Sequence, residues 1–102
     1  MTQTDAAPAA QDAQSGAVKY RLTGEVQGVG FRHHVKQNAD NLGIRGWARN
    51  ECDGSVTVLL HGENADKMYA ALLQGPPGAS VASLVELCVE ENDNAAEGFA
   101  IC

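Results

Sequence analysis

The spacing of apolar residues along this chain switches between a period of two and a period of about 3.6, and the order of the switches leaves few folds open. From Ala17, Val18, Tyr20 and Leu22 alternate with Lys19, Arg21 and Thr23, the pattern of a half-buried strand. Phe31, Val35, Ala39 and Leu42 then fall on one face of a helix that Gly43 can end in a left-handed C-cap. Ile44 to Asn50, IRGWARN, reads as a second strand, and Asp53-Gly54 as a tight turn into a third, Ser55 to His61, alternating through Val56, Val58 and Leu60. Gly62-Glu63-Asn64 opens a second helix with Met68, Ala71 and Leu72 on one side, and Gly75-Pro76-Pro77-Gly78 stops it. Val85, Leu87 and Val89 make a fourth strand; after the polar stretch NDNAAEG, Phe99 and Ile101 make a short last one.

The order β-α-β-β-α-β plus a terminal strand predicts an α+β fold, a ferredoxin-like two-layer sandwich. Clean alternation implies an antiparallel sheet with two helices on one face and water on the other. In that topology the first two strands run parallel with the third between them. The loop after the first strand and the end of the second therefore leave the same edge of the sheet, about 10 Å apart, or two strand spacings. Gly28 to Arg32 and Asn50 are expected in one place. Residues 1 to 16, MTQTDAAPAAQDAQSG, have almost nothing to bury and read as a disordered tail ahead of one domain spanning residues 17 to 102.

A length of 102 residues is one domain's worth. The formal charge of −6 disfavours a general nucleic-acid binder or a membrane-surface protein. Charge is unevenly spread, though. Residues 17 to 49 hold six of the seven Lys and Arg against two acids, Glu25 and Asp40, while residues 50 to 102 hold Lys67 against nine acids. A basic region within an acidic chain suggests one small anionic ligand. Cys52, Cys88 and Cys102, with no CxxC, read as unpaired thiols. The absence of an 18-residue apolar run and of a signal-like N-terminus gives a soluble, cytoplasmic expectation.

The first helix starts strangely. GEVQGVGFRHH loads its first turn with Arg32, His33 and His34, without an acid and without a Ser, Thr, Asp or Asn cap, although a helix N-terminus already carries about half a positive charge. Gly28 and Gly30 permit backbone angles that let successive N–H groups point inward, and the first helical N–H groups lack intrahelical partners. Such a cradle binds a phosphate or similar oxyanion, and Arg32 can close a fork of donors around it. The stretch is neither a Walker loop, lacking GK[ST], nor a dinucleotide fingerprint, since His33 stands where a third glycine would be. A glycine turn with an exposed arginine is the plain alternative. Asn50, a common residue type at strand ends, could orient a water beside a phosphate bound at the neighbouring loop. Trp47 and Arg49 share a strand face and are read as covering the sheet's open side. His33, His34 and His61 lack metal-ligand spacing, Glu25 and Glu51 are taken as solvated charges, and Met68 as core.

At this point the residues resemble the acylphosphatase family. Gly24 to Arg32 is similar to the family's first signature, G-x-V-Q-G-V-x-F-R; Gly46-Trp47-Ala48-Arg49-Asn50 with Gly54 and Val56 resembles the second. The Gly-Pro-Pro after the second helix and the closing Phe-x-Ile also match, so the resemblance spans residues 17 to 102. It implies a small hydrolase, needing neither metal nor cofactor, that cleaves the carboxyl–phosphate anhydride of acyl phosphates to carboxylate and inorganic phosphate. Position by position, it implies that Arg32 binds the phosphoryl group, that Asn50 orients the attacking water, and that the amides of Gly28, Val29, Gly30, Phe31 and Arg32 form the cradle. The substrate's own phosphate is the candidate acceptor of the water's proton. Family chains often end with a basic residue; Cys102 stands there instead.

A monomer acting on small molecules is expected, with neither nucleic acid nor membrane as partner. One rival is a module that binds acyl or carbamoyl phosphate without turnover, as in the acylphosphatase-like domains of larger hydrogenase-maturation proteins; the absence of a zinc-finger or nucleotide-binding extension favours the free-standing enzyme. The other is an RNA-binding domain of the same general fold, disfavoured because SVTVLLH offers no aromatic residues to stack on bases.

Overall fold

The computed structural model describes residues 17 to 62, 64 to 90, 93 and 98 to 101. The expected tail, most of NDNAAEG and Cys102 lie outside the described residues. The elements are β1 (Ala17–Glu25), α1 (Phe31–Leu42), β2 (Arg45–Asn50), β3 (Val56–His61), a 3-10 turn (Ala65–Lys67) leading into α2 (Met68–Gln74), β4 (Ser80–Leu87) and β5 (Phe99–Ile101). They form one sheet in the order β4-β1-β3-β2-β5, antiparallel except for the parallel β2–β5 pair. This is the ferredoxin-like arrangement that the alternating runs imply, with β3 between β1 and β2.

Each element forms where its apolar spacing meets the core. Leu22, Val56, Val58 and Leu60 point from the sheet toward Phe31, Val35 and Ala39 of α1 and Met68 and Leu72 of α2, all of them buried. Complete burial of one such side chain stabilises the fold by about 1.5–3 kcal/mol. Helix α1 ends as its sequence suggests: Gly43 has φ 70° and its N–H turns back to carbonyls of the last helical turn.

Two expectations change. β4 begins at Ser80 and ends at Leu87, so Val89 lies beyond it, and Val85 is half exposed on the side away from the helices. A bulge causes the difference. Thr23 pairs with Ser83 and Gly24 with Val81, so Ala82 is an extra residue that shifts the phase and turns Val81 and Leu84, an odd number apart, onto the core. The open face, moreover, is not simply wetted. Thr57 and Leu59 are buried there, Leu59 lying in register between Lys19 and Trp47. Lys19 bonds Asp93 at 2.7 Å with little exposure of either side chain, and the Arg49 guanidinium lies 4.7 Å from the Trp47 ring centre. Trp47 and Arg49 thus cover the sheet, in keeping with the sequence reading.

Gly46, at φ 146°, is needed for close approach: a Cβ there would collide with the backbone carbonyl of Leu59 on β3. Gly54 has φ 93° at the hairpin tip with open space around it. Gly46→Ala should therefore lower the unfolding free energy by at least about 3 kcal/mol, and Gly54→Ala by only about 1–2 kcal/mol. Urea unfolding followed by circular dichroism measures both; equal losses would contradict the packing described.

Candidate active site

Between buried Val26 and buried Phe31 the chain makes a short arch, Gln27 to Gly30. Gly28 (φ 75°) and Gly30 (φ 77°, ψ 21°) are both left-handed, and neither is crowded, so the requirement is for the backbone angle rather than for space. Gly30 is the N-cap of α1. It provides no side-chain cap, and the first turn contains no acid, as the sequence suggests. The helix ladder begins where the His34 N–H donates to the Gly30 carbonyl at 3.0 Å. The N–H groups ahead of it have no carbonyl within the helix to bond.

Phe31 secures that start. Its ring packs against Gly75 at the end of α2, where an added Cβ would sit 3.2 Å from Phe31 Cε2. One turn on, His34 Nε2 lies 3.2 Å from the Ala71 carbonyl. A missing cap costs about 1 kcal/mol, and burying Phe31 offsets it. Arg32, beside Phe31 in the first turn, is half-buried.

The ladders bring Asn50 to this loop. Val56 pairs with Leu22 of β1 on one side and with Asn50 of β2 on the other, which puts Leu22 and Asn50 two strand spacings, about 10 Å, apart. β1 then runs on to Glu25, and the arch returns past the end of β2. Gln27 closes the distance: its Nε2 donates to the carbonyls of Glu51 (2.8 Å) and Ser55 (2.9 Å), both in the β2–β3 hairpin. Asn50 Oδ1 is buried and accepts no hydrogen bond among the described residues. An unsatisfied buried acceptor costs about 1–3 kcal/mol, so this one marks a place where a donor is expected to arrive.

The other candidates separate from this locus. His33 is exposed on α1, His34 faces α2, and His61 Nδ1 lies 2.6 Å from Arg45 at the far end of the sheet. Among the described residues no three His, Cys, Asp or Glu side chains cluster as a metal site would require. Cys52 and Cys88 are exposed free thiols. Glu25 is exposed at the end of β1, whereas Glu51, expected as a solvated charge, is tied to Arg49 at 3.0 Å. A Thr57 hydroxyl hydrogen bond holds the Glu51 carboxyl below its ordinary range, burial opposes this, and Arg49 adds to it. The structural role of Gln27 was missed in the sequence, where a long amide between a valine and a glycine gives no sign of which carbonyls it reaches.

A family model described as Acylphosphatase matches residues 18–101. The chain belongs to the acylphosphatase family. An acylphosphatase of Rhizobium etli is 45% identical over 87 residues, covering 83% of this chain and 92% of the relative. The crystal structure of the Bacillus subtilis acylphosphatase superposes with a TM-score of 0.70 at 34% identity, covering 84% of this chain and 97% of that one. Full-length HypF, in its phosphate- and nucleotide-bound form, shares the fold with a TM-score of 0.67 at 23% identity, but only 11% of that chain is covered.

Three carboxylates of the hairpin and the open face are held below their ordinary values. Asp53 is held below its ordinary value of 3.8, first by the Ser55 hydroxyl, then by the Ser55 amide, against slight desolvation and with help from Arg21. For Asp93 burial acts upward, but bonds from Lys19 and the Glu90 amide and the charges of Lys19 and Arg49 outweigh it. Lowered folded-state values mean that the stabilisation is fully present above the ordinary values, 4.5 for Glu51 and 3.8 for the aspartates, and is lost as pH falls through the folded ones. The urea midpoint should be level from neutrality to about pH 5 and decline below it, with a shallower decline in Glu51→Gln. A midpoint that rises on acidification would refute these assignments.

Proposed function

We propose that this chain hydrolyses acyl phosphates, with the phosphoryl oxygens held by the amides of Gly28, Val29, Gly30, Phe31 and Arg32 and by the Arg32 guanidinium, and with the attacking water held by Asn50. The observation that carries the reading is the juxtaposition of an uncapped helix start, entered through two left-handed glycines, with a buried Asn50 carbonyl that accepts no bond among the described residues. The first needs an anion and the second needs a donor. A phosphate with a water beside it supplies both.

The chemistry requires little else. Water attacks phosphorus in line as the bond from phosphorus to the acyl oxygen breaks, and that bond's electrons leave on a carboxylate. The water's proton passes to a phosphate oxygen, so no protein base is required. A carboxylate is a good leaving group, so charge stabilisation and alignment account for the rate. Asn50 Oδ1 accepts one O–H of the water and leaves an oxygen lone pair to face the phosphorus. In this reading Arg32 and the amides supply the positive potential, without a metal or other cofactor.

The exposed free thiols of Cys52 and Cys88 fit a reducing, cytoplasmic setting. Among the described residues no helix is long and apolar enough to cross a membrane. A monomer is the simplest unit for such a reaction, because all the assigned groups lie on one chain. The binding-module alternative has less support: the match covers 92% of the Rhizobium etli acylphosphatase but only 11% of HypF.

Benzoyl phosphate should be hydrolysed with EDTA present, and a well-folded but inactive protein would sink the proposal. Arg32→Ala should lower kcat/KM by about a thousandfold or more and weaken inhibition by inorganic phosphate. In Asn50→Ala the expected loss is about a hundredfold in kcat, with the phosphate inhibition constant nearly unchanged. Near-normal turnover in that variant would remove Asn50 from the mechanism.

A further inference from the structure

β1 pairs with β3 only as far as Leu22. Thr23, Gly24 and Glu25 pair with β4 alone, displaced by the bulge at Ala82, while β2 and β3 stay paired out to Asn50 and Val56. The segment leading into the glycine arch and the hairpin carrying Asn50 therefore diverge at the level of the site. Gln27 spans the divergence. Both hydrogens of its carboxamide go to the hairpin, one to the Glu51 carbonyl next to Asn50 and one to the Ser55 carbonyl across the turn.

Other contacts constrain different directions. Val26 and Phe31 set how deeply the arch sits on the core, and the Arg21–Asp53 ion pair joins β1 to the hairpin on the open face. That pair is about half exposed and worth little. The hairpin itself is stiff, because the Glu51 N–H donates to the Ser55 carbonyl at 2.8 Å and Ser55 N–H and Oγ both donate to Asp53 Oδ1. A stiff hairpin gripped at both ends of its turn gives Gln27 a fixed reference.

We infer that Gln27 is a positioning residue which sets the spacing between the Gly28–Arg32 cradle and Asn50, and so the alignment of the water with the phosphorus. This rests on the hydrolase reading above. With both amide hydrogens committed to the hairpin, Gln27 acts through that geometry and has no side-chain N–H left for the substrate.

Gln27→Met keeps the side-chain length and removes both donors. In benzoyl phosphate hydrolysis it should lower kcat by about ten- to hundredfold, the effect of a misplacement near 1 Å, while KM and the phosphate inhibition constant stay within about twofold. Gln27→Glu should be slower still at neutral pH, where its carboxylate faces two carbonyls. It should regain turnover as pH falls and the protonated acid donates to one of them, a recovery absent from Gln27→Met. Thermal unfolding by circular dichroism checks that both variants fold. An unchanged kcat in folded Gln27→Met, with the parent protein active, overturns the inference alone; so does a loss of kcat matched by an equal loss of phosphate inhibition, which would put Gln27 in the cradle itself. An inactive parent protein overturns the hydrolase reading and this inference with it.

Discussion

The burial of β3 between β1 and β2 is the constraint on which the rest of this structure depends. Five of its six residues are buried, Val56, Val58 and Leu60 against the helices and Thr57 and Leu59 under the open face. A strand covered on both sides and hydrogen-bonded on both edges has one workable register, because a slip by one residue would carry the three core side chains to the wrong face. That register fixes Leu22 and Asn50 on either side of Val56. The distance across the site is therefore inherited from the sheet, and the loops have only to complete it.

The locus built on that frame contradicts local preference three times over. The helix start lacks a side-chain cap, its first turn carries Arg32 and no acid, and a buried carbonyl oxygen accepts no hydrogen bond among the described residues. Each feature costs on the order of 1 kcal/mol or somewhat more, against about 1.5–3 kcal/mol for each completely buried large side chain nearby, such as Phe31 or Leu22. The core can hold such a site open without ligand. Violations of local rules gathered at one point are the usual mark of a functional site in an otherwise consistent sequence.

Most of the fold was legible because the inner faces of β1, α1 and β3 have an unbroken period. Phe31, Val35 and Ala39 are buried as their spacing requires, and the turn at Asp53-Gly54 forms where the sequence puts it. The phase of β4 was not legible, because its bulge sets Ser80 and Ala82 close against Gly24, and these residues look ordinary in a one-dimensional pattern. The partner of β5 was hidden for a related reason: three residues carry too little pattern to choose an edge, and the parallel pairing with β2 is set by where the chain returns. At the site, Arg32 and the two glycines stood out through charge and backbone freedom. Asn50 came into view only through topology. Gln27 did not, since its role is a pair of hydrogen bonds to backbone carbonyls, and a backbone carbonyl leaves no trace in residue identity.

The distribution of charge follows from the same economy. An acyl phosphate needs a strong local positive potential, but the whole chain need not be basic, and a broadly basic surface would attract polyanions. Here the acids of the second half neutralise the bases of the first where those bases serve structure: Asp93 takes Lys19, Asp53 takes Arg21 and Glu51 takes Arg49. All three pairs lie on the open face of the sheet. On the helix side Lys36 meets Asp40 within α1. The start of α1 carries Arg32 and has no acid in its own first turn, in a chain of net charge −6. A helix terminus with a basic side chain favours a small anion over a long one laid across a face, which is the discrimination the proposed phosphate site requires.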